Sequence, residues 1–371
     1  MATVKKRGSS WQATVRGPDG REVTKAFPKR VQADQWAKER ESDKLRGAWV
    51  DPRAGRETFG QWVIRYLKDG ATHKRATTQA RDRAVLNHWF VPALGKRPIG
   101  SITPHDVRVV VQSMTVRLAP RTVRTNYGVL RAAMSAAVDA GLFAVSPCRG
   151  IKLPEVPRIS KPVALVSDVH RLADAVPEEY RSAIYLGSLG LREAEVFGLK
   201  VKAIDFLRKT LTVEETVNEV DGQLVIGDGK TRSSVRTISV PTFVLDVLAN
   251  HLQQTGRTEP DDYVVQAPNG GPVRANNFRR RVYVPALKAA GLDRALVFHR
   301  LRHSAGHHMR ETGEPLEVIQ KRLGHASIRT TADVYGSLPV AVDKAASDRL
   351  NAMYKSSRGH FADIDDQQST A

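Results

Sequence analysis

Pro154, Pro157 and Pro162 fall within the eleven residues 152–162, and no apolar period surrounds them. Each proline fixes φ, lacks a backbone N–H and turns the residue before it away from the helical region. A helix or a central strand cannot cross such a stretch. Residues 152–162 are therefore a linker, with folded parts on both sides. Pro52-Arg53-Ala54-Gly55-Arg56-Glu57 forms a second aperiodic break. The breaks divide the 371 residues into segments 1–55, 56–155 and 160–355, followed by a polar tail at 356–371. An apolar content of 41% supplies two or three cores of ordinary size.

The segments differ in period. In the first, Trp11, Ala13 and Val15 alternate with Gln12, Thr14 and Arg16, as in a strand. Gly17-Pro18-Asp19-Gly20 is a turn and Val23 to Phe27 the returning strand. Residues 31–46 read as a helix with Val31, Trp36 and Leu45 among its apolar positions. The expectation is a small α+β domain. In the second segment, Phe59, Trp62, Val63 and Tyr66 recur at helical spacing. Thr103-Pro104-His105-Asp106 combines a capping threonine, a proline at the first position and an acid in the first turn. Val123, Tyr127, Leu130, Met134 and Val138 follow at spacings of 4, 3, 4 and 4, and Gly141 stops that helix. This predicts an all-α domain, with Arg121, Arg124 and Arg131 off the apolar stripe. The third segment is mixed α/β, mainly helical with a small antiparallel sheet. Helices are expected over 167–175 and 178–199, strands over 210–214, 223–226 and 235–240, and helices again to about 353.

Lys and Arg number 58 against 39 Asp and Glu, a formal net charge of +19. Excess cation spread along a folded chain points to a polyanion, nucleic acid first. Residues 1–50 hold 12 Lys and Arg against 6 Asp and Glu, a net of +6, so the first domain is a basic sheet that can lie in a DNA groove. A membrane surface is the competing polyanion, but no strongly amphipathic basic helix stands out. Runs such as Val109-Val110-Val111 are far too short to span a bilayer. No apolar core follows the charged residues 1–10, so they do not form a secretory signal. The single cysteine, Cys148, leaves no internal disulfide and no zinc cluster.

Chemistry concentrates in the third segment. Gly190-Leu191-Arg192-Glu193-Ala194-Glu195 opens a helix, with Arg192 and Glu195 three apart on one face. Gly227 to Arg236 reads as the Gly-rich turn of a hairpin, with Lys230 at its tip. His299-Arg300-Leu301-Arg302-His303 points His299 and Arg302 the same way. Leu323-Gly324-His325 ends a helix that starts near Pro315, and Ser327 caps a short helix carrying Tyr335, ten residues after His325. Taken singly, these are ordinary ion pairs and solvated turns. Together, two arginines, a lysine, two histidines and a tyrosine suit phosphoryl transfer without a metal. Arginine forks clamp two phosphate oxygens, and a tyrosine can form a covalent intermediate that keeps the phosphodiester energy. No acidic cluster is placed to hold paired magnesium ions, which disfavours a two-metal nuclease. Residues 229–231 resemble part of a P-loop, but Leu224 stands where that motif needs glycine and a strand follows where it needs a helix.

In this order and at these spacings, the residues from Gly190 to Tyr335 resemble the tyrosine recombinase family, the phage-integrase class, over roughly residues 165–350. Residues 58–155 resemble its core-binding domain and residues 1–55 its arm-site-binding domain. The resemblance implies a site-specific recombinase that cuts and rejoins attachment-site DNA through a 3′-phosphotyrosine and a Holliday junction, to integrate and excise a phage or mobile element. It implies Tyr335 as the nucleophile, Arg192 and Arg302 on the non-bridging oxygens, Lys230 protonating the leaving 5′-oxygen, His325 donating to the phosphate and His299 assisting proton transfer. Glu195 and His303 become supporting residues that brace the second arginine and the active-site helices. Arg121, Arg124 and Arg131 become DNA-binding residues. No metal and no cofactor are implied. The implied partners are double-stranded DNA at core and arm sites, further copies in a homotetramer, a host DNA-bending protein and an excision factor. The implied setting is the cytoplasm of a bacterial host, on DNA and away from membranes. Three features depart from the family: Arg300 stands where an acid is common, Glu193-Ala194 replace the commoner apolar-small pair after the first arginine, and Ser239 sits where strand three often has proline, but no reacting group is lost. Beyond Tyr335, Val342, Ala346, Leu350 and Met353 recur at spacings of 4, 4 and 3, a stripe that the resemblance docks on a neighbouring protomer.

Three rivals use the same residues. A chromosome-dimer-resolving recombinase usually lacks a domain like 1–55. A non-catalytic DNA-binding regulator on this fold would have lost the tyrosine or an arginine, and all are present. A type IB topoisomerase shares the chemistry but relaxes supercoils as a monomer at no particular site.

Overall fold

The computed structural model describes residues 2–18, 20–46, 49, 54–69, 73–157, 162–228, 235–336 and 342–355. The chain divides into two compact units, Met1–Arg158 and Ile159–Ala371.

In the first unit, β1 (Thr3–Arg7), β2 (Ser10–Arg16) and β3 (Glu22–Phe27) form an antiparallel sheet, with Val4 opposite Ala13 and Val15 opposite Val23. Alternation along β2 turns Ala13 and Val15 inward, where α1 (Arg30–Leu45) covers them with Ala33 and Ala37. The expected stripe of α1 is corrected here. Val31 and Leu45 are 75% and 89% exposed, and Trp36 reaches the sheet by packing on Phe27. A close helix-on-sheet contact admits alanine and excludes the larger side chains.

The same unit holds a second, helical core built by α2 (Phe59–Asp69), α3 (Ala76–Val85), α4 (Val91–Leu94), α5 (Pro104–Thr115) and α6 (Pro120–Asp139). Phe59, Trp62, Val63 and Tyr66 of α2 are all buried, and Trp62 Nε1 donates to Ala133 O at 3.0 Å, which fixes α2 against α6. α5 starts with the expected box: Thr103 Oγ1 accepts from Asp106 N at 3.3 Å and Asp106 Oδ2 accepts from Thr103 N at 2.8 Å. The Thr103 hydroxyl also donates to Asp106 Oδ2 at 2.6 Å, and this bond, the Thr103 backbone N–H and the Arg97 guanidinium hold the Asp106 carboxyl at about 2. α6 buries Val123, Tyr127, Leu130 and Met134, and leaves Arg121, Arg124 and Arg131 exposed. Residues 151–157 form neither helix nor strand. Ile151 and Leu153 nevertheless pack on the helical core, and Pro154 O accepts from Arg124 Nη1 at 3.1 Å. The start of the linker thus belongs to the helical core.

The second unit opens with α7 (Val166–Ala175), α8 (Glu178–Ser188) and α9 (Glu193–Phe197). Strands β4 (Ile204–Asp205), β5 (Thr210–Val213), β6 (Glu215–Val220), β7 (Gln223–Asp228) and β8 (Arg236–Ser239) follow. They form two small antiparallel sheets, β4-β5-β8 and β6-β7. Then come α10 (Thr242–Thr255), α11 (Ala275–Phe278), α12 (Val284–Ala289), α13 (His299–Glu311), α14 (Leu316–Leu323), α15 (Ile328–Tyr335) and α16 over residues 342–355. The main core runs from Leu172 and Ile184 through Phe197 and Leu248 to Phe278, Tyr283, Phe298 and Leu301. Among the described residues, no helix is long and apolar enough to cross a membrane.

Two expectations fail in this unit. The helix expected over 178–199 is two helices, because Gly190 takes φ +103° where a Cβ would sit 2.6 Å from Leu323 Cδ2. The hairpin expected around 227–236 is also replaced. β7 pairs with β6 across Asp221-Gly222, with Val220 opposite Gln223, while β8 pairs with β5, Leu211 opposite Ile238. Lys230, the expected tip, lies outside the described residues.

Candidate active site

The C-terminal end of α14 organises the site. The last carbonyls of a helix have no intrahelical partner and carry the negative end of its dipole. Three successive ones each take a guanidinium. Arg322 O accepts from Arg236 Nε at 2.7 Å, Leu323 O from Arg302 Nη2, and Gly324 O from Arg192 Nη2 at 3.1 Å. Arg302 Nη1 also donates to Gly190 O at 2.5 Å, at the break between α8 and α9. Gly324, in the left-handed conformation, ends α14, and His325 follows it directly.

Glu195 ties the same arginines together from the other side. Its carboxylate takes Arg236 through both oxygens, at 3.1 and 2.9 Å, and Arg192 Nη1 at 2.5 Å. Arg302 Nη1 stands 4.0 Å from it. Arg192 is the N-cap of α9 rather than a residue on its face, and Glu195 folds back to accept the Arg192 backbone N–H at 2.8 Å. Glu195 and Arg302 are each 2% exposed and Arg236 8%, so Glu195→Ala strands buried guanidinium charge. The expected loss is about 3–5 kcal/mol of folding stability, as for other buried pairs that lose one partner. Urea unfolding followed by circular dichroism measures it. A loss below about 1 kcal/mol, the range of an exposed pair, would show that the cluster is compensated elsewhere.

Three arginines around one carboxylate leave surplus positive charge, which adds to burial in setting the protonation of the neighbours. Burial raises the Glu195 pKa, but Arg236 and Arg192 outweigh it and hold the carboxyl below its usual range. Burial, then Arg192, brings Arg302 down to about 9, so it stays charged at neutral pH. Burial, then Arg302 and Arg192, lowers His299. The same causes, with Arg236 added, bring His325 down to about 4. Both imidazoles are neutral at pH 7 and own one ring N–H each. His325 Nδ1 is 3.0 Å from Thr331 Oγ1, and His325 lines a cleft with Val235, Arg236, Gln320 and Lys321.

Tyr335 is 4% exposed on α15. Its ring lies on Gly306 of α13, where a Cβ would come within 2.4 Å of Tyr335 Cζ, so only glycine allows this approach. Burial raises the Tyr335 pKa, with Arg302 and Arg300 opposing, and the phenol is neutral. Its Oη is 3.2 Å from His303 Nδ1. His303 therefore meets the tyrosine, and His299 packs edge-on against the His303 ring at 4.8 Å between centroids.

The structure thus gathers Arg192, Glu195, His299, Arg302, His303, His325 and Tyr335 within one unit. Arg121, Arg124 and Arg131 belong to the other unit, on the exposed face of α6. Arg236 was not anticipated. The signal for it is that β8 turns Arg236 and Ile238 to the same buried side, and a charged residue at an inward strand position needs a partner there.

A model of the phage integrase family matches residues 166–339, and a model of the phage integrase N-terminal SAM-like domain matches residues 58–115. The chain belongs to the phage integrase family. Its activity is that of a site-specific tyrosine recombinase. The integrase of Mycobacterium phage L5 is 28% identical over 274 residues, which cover 72% of this chain and 72% of that one. The Tn1549 transposon integrase, solved in complex with transposon right end DNA, matches with a TM-score of 0.68 at 19% identity, over 79% of this chain and 99% of that one. A lambda integrase tetramer bound to a Holliday junction matches with a TM-score of 0.57 at 17% identity, over 87% and 95%. These two likenesses establish the fold, mostly helical with small antiparallel sheets.

Proposed function

We propose that this recombinase integrates and excises a phage or mobile element by cutting attachment-site DNA through a 3′-phosphotyrosine on Tyr335. One observation carries the reading: Arg192 and Arg302 are fixed on the end of α14 beside a neutral His325, and the next helix carries Tyr335. Held guanidinium groups offset the charge that grows on the non-bridging oxygens, and they need no rearrangement as it grows. Tyr335 Oη attacks phosphorus and the bond to the 5′-oxygen breaks. Lys230 gives that oxygen its proton. His303 Nδ1, 3.2 Å from Oη, can take the phenolic proton, and His299 assists. Attack by a 5′-hydroxyl of the partner duplex reverses the step and rejoins the strands.

The division of labour follows the segments. Residues 1–55, with their net charge of +6, hold arm sites. Residues 56–155 grip the core site through Arg121, Arg124 and Arg131, and residues 160–355 cut. Two linked DNA contacts raise the effective concentration of each for the other, which builds the synaptic complex without tight single sites. Four copies of this chain act together, a reading supported by the likeness to a lambda integrase tetramer bound to a Holliday junction, and a host bending protein and an excision factor set direction here.

A suicide substrate carrying the DNA that flanks the element tests the reading. The expected product is protein linked to a 3′ end, beside a free 5′-hydroxyl. Equal cleavage of supercoiled plasmid without any attachment site would instead mean a topoisomerase. On the specific substrate, Lys230→Ala is expected to slow cleavage by roughly 10²–10⁴-fold, the scale of a lost general acid. A 5′-thio leaving group needs little protonation and should restore the rate. No rescue means that Lys230 only positions DNA.

A further inference from the structure

The two buried residues of α15 are Thr331 and Tyr335, four apart on one face. Thr331 is fully buried, and its Oγ1 lies 3.0 Å from His325 Nδ1. A hydroxyl has one proton to give, and a buried one finds an acceptor. The usual acceptor for a helical threonine is a carbonyl three or four residues back. Thr125 does this, donating to Arg121 O at 3.0 Å, and Thr255 donates to His251 O at 2.6 Å. The hydrogen bond described for the Thr331 hydroxyl goes to Nδ1 instead. A Thr331 hydroxyl that donates a hydrogen bond to Nδ1 requires that nitrogen to carry no proton of its own.

We propose that Thr331 is a positioning residue that holds His325 in the Nε2–H tautomer, the form able to donate to a phosphate oxygen, and that it does so only while α15 is docked. The proposal rests on His325 acting as the phosphate donor. The other contacts of His325 hold its backbone: its N–H donates to Gln320 O and its carbonyl accepts from Gln320 Nε2, both at 3.1 Å. Neither chooses between the ring nitrogens. Double protonation offers no way round the choice, since burial and three arginines keep the ring neutral. Without Thr331, part of the population would turn a lone pair toward the phosphate. Because Thr331 and Tyr335 ride on one helix, docking of α15 sets the donor and delivers the nucleophile in one event.

Long-range ¹H–¹⁵N spectra of the full-length protein labelled with [¹⁵N]histidine read the tautomer directly, with the His325 signal assigned by its loss in His325→Asn. The unmodified protein and Thr331→Ser are expected to show Nε2–H. Thr331→Val, which keeps the shape and removes the hydroxyl, is expected to shift toward Nδ1–H. Its single-turnover cleavage of a suicide substrate should fall by roughly ten- to hundredfold, the scale known for losing the partner that orients a metal-bound histidine, and recover in Thr331→Ser. A proton on Nδ1 in the unmodified protein, or an unchanged tautomer in Thr331→Val, overturns the proposal. A switched tautomer with full cleavage overturns it from the other side, because the His325 role beneath it is then wrong. Should Thr331→Val fail to fold, the tautomer of the unmodified protein decides alone.

Discussion

Tyr335→Phe is expected to abolish covalent attachment to DNA and leave DNA binding unchanged. The substitution removes one oxygen and keeps the ring that packs on Gly306. The fold loses the bond from Tyr335 Oη to His303, worth about 1 kcal/mol. Affinity for DNA comes mainly from contacts to many phosphates. Cleavage, however, has no route without a nucleophilic oxygen, so the loss is complete rather than graded. Tyr354 on α16 is the rival nucleophile, since it is 69% exposed and free to approach DNA. Denaturing gels of suicide substrates separate the two. A covalent band that survives in Tyr335→Phe and disappears in Tyr354→Phe would move the chemistry to α16.

Local signals made much of this fold legible. The stripes of α2 and α6, the box at Thr103 and Asp106, and the left-handed glycine that ends α14 all act within a turn or two of sequence. The features that escaped are set at a distance. Gly190 breaks a helical pattern because Leu323 occupies the space beside it. Strand β8 pairs with β5, across the whole of β6 and β7, so the Gly-rich segment before it misled as a hairpin. The Asp221-Gly222 turn is itself a strong hairpin signal, but Glu215, Asn218 and Glu219 mask the alternation of β6. The site shows the same division. Arg192, Arg302, His325 and Tyr335 stand in short motifs, and their residue types announce the chemistry. Their convergence on the end of α14, and the part played by Arg236, depend on bonds between α9, β8, α13 and α14 that no local pattern encodes.

Leu350→Asp combined with Met353→Asp is expected to leave the protomer folded and able to bind one half-site, yet abolish the synaptic complex and strand exchange. In α16, Val342 and Ala346 are half-buried, whereas Leu350 and Met353 are 54% and 61% exposed. An aspartate at a wetted position disturbs folding by about 0.5 kcal/mol or less. Two aspartates in an apolar contact would each lose their water without a partner, and that opposes association strongly. Recombination as proposed requires four protomers cutting in pairs around two duplexes. A contact that passes α16 of each protomer to the next is head-to-tail, and such a contact closes naturally into a ring. The face that is costly to leave apolar in a single protomer is the one such a ring would cover. Thermal melting and native gels on attachment-site DNA separate the cases. A double variant that melts far below the unmodified protein would place this face inside the protomer's own core. One that folds and still recombines would leave the assembly to other surfaces.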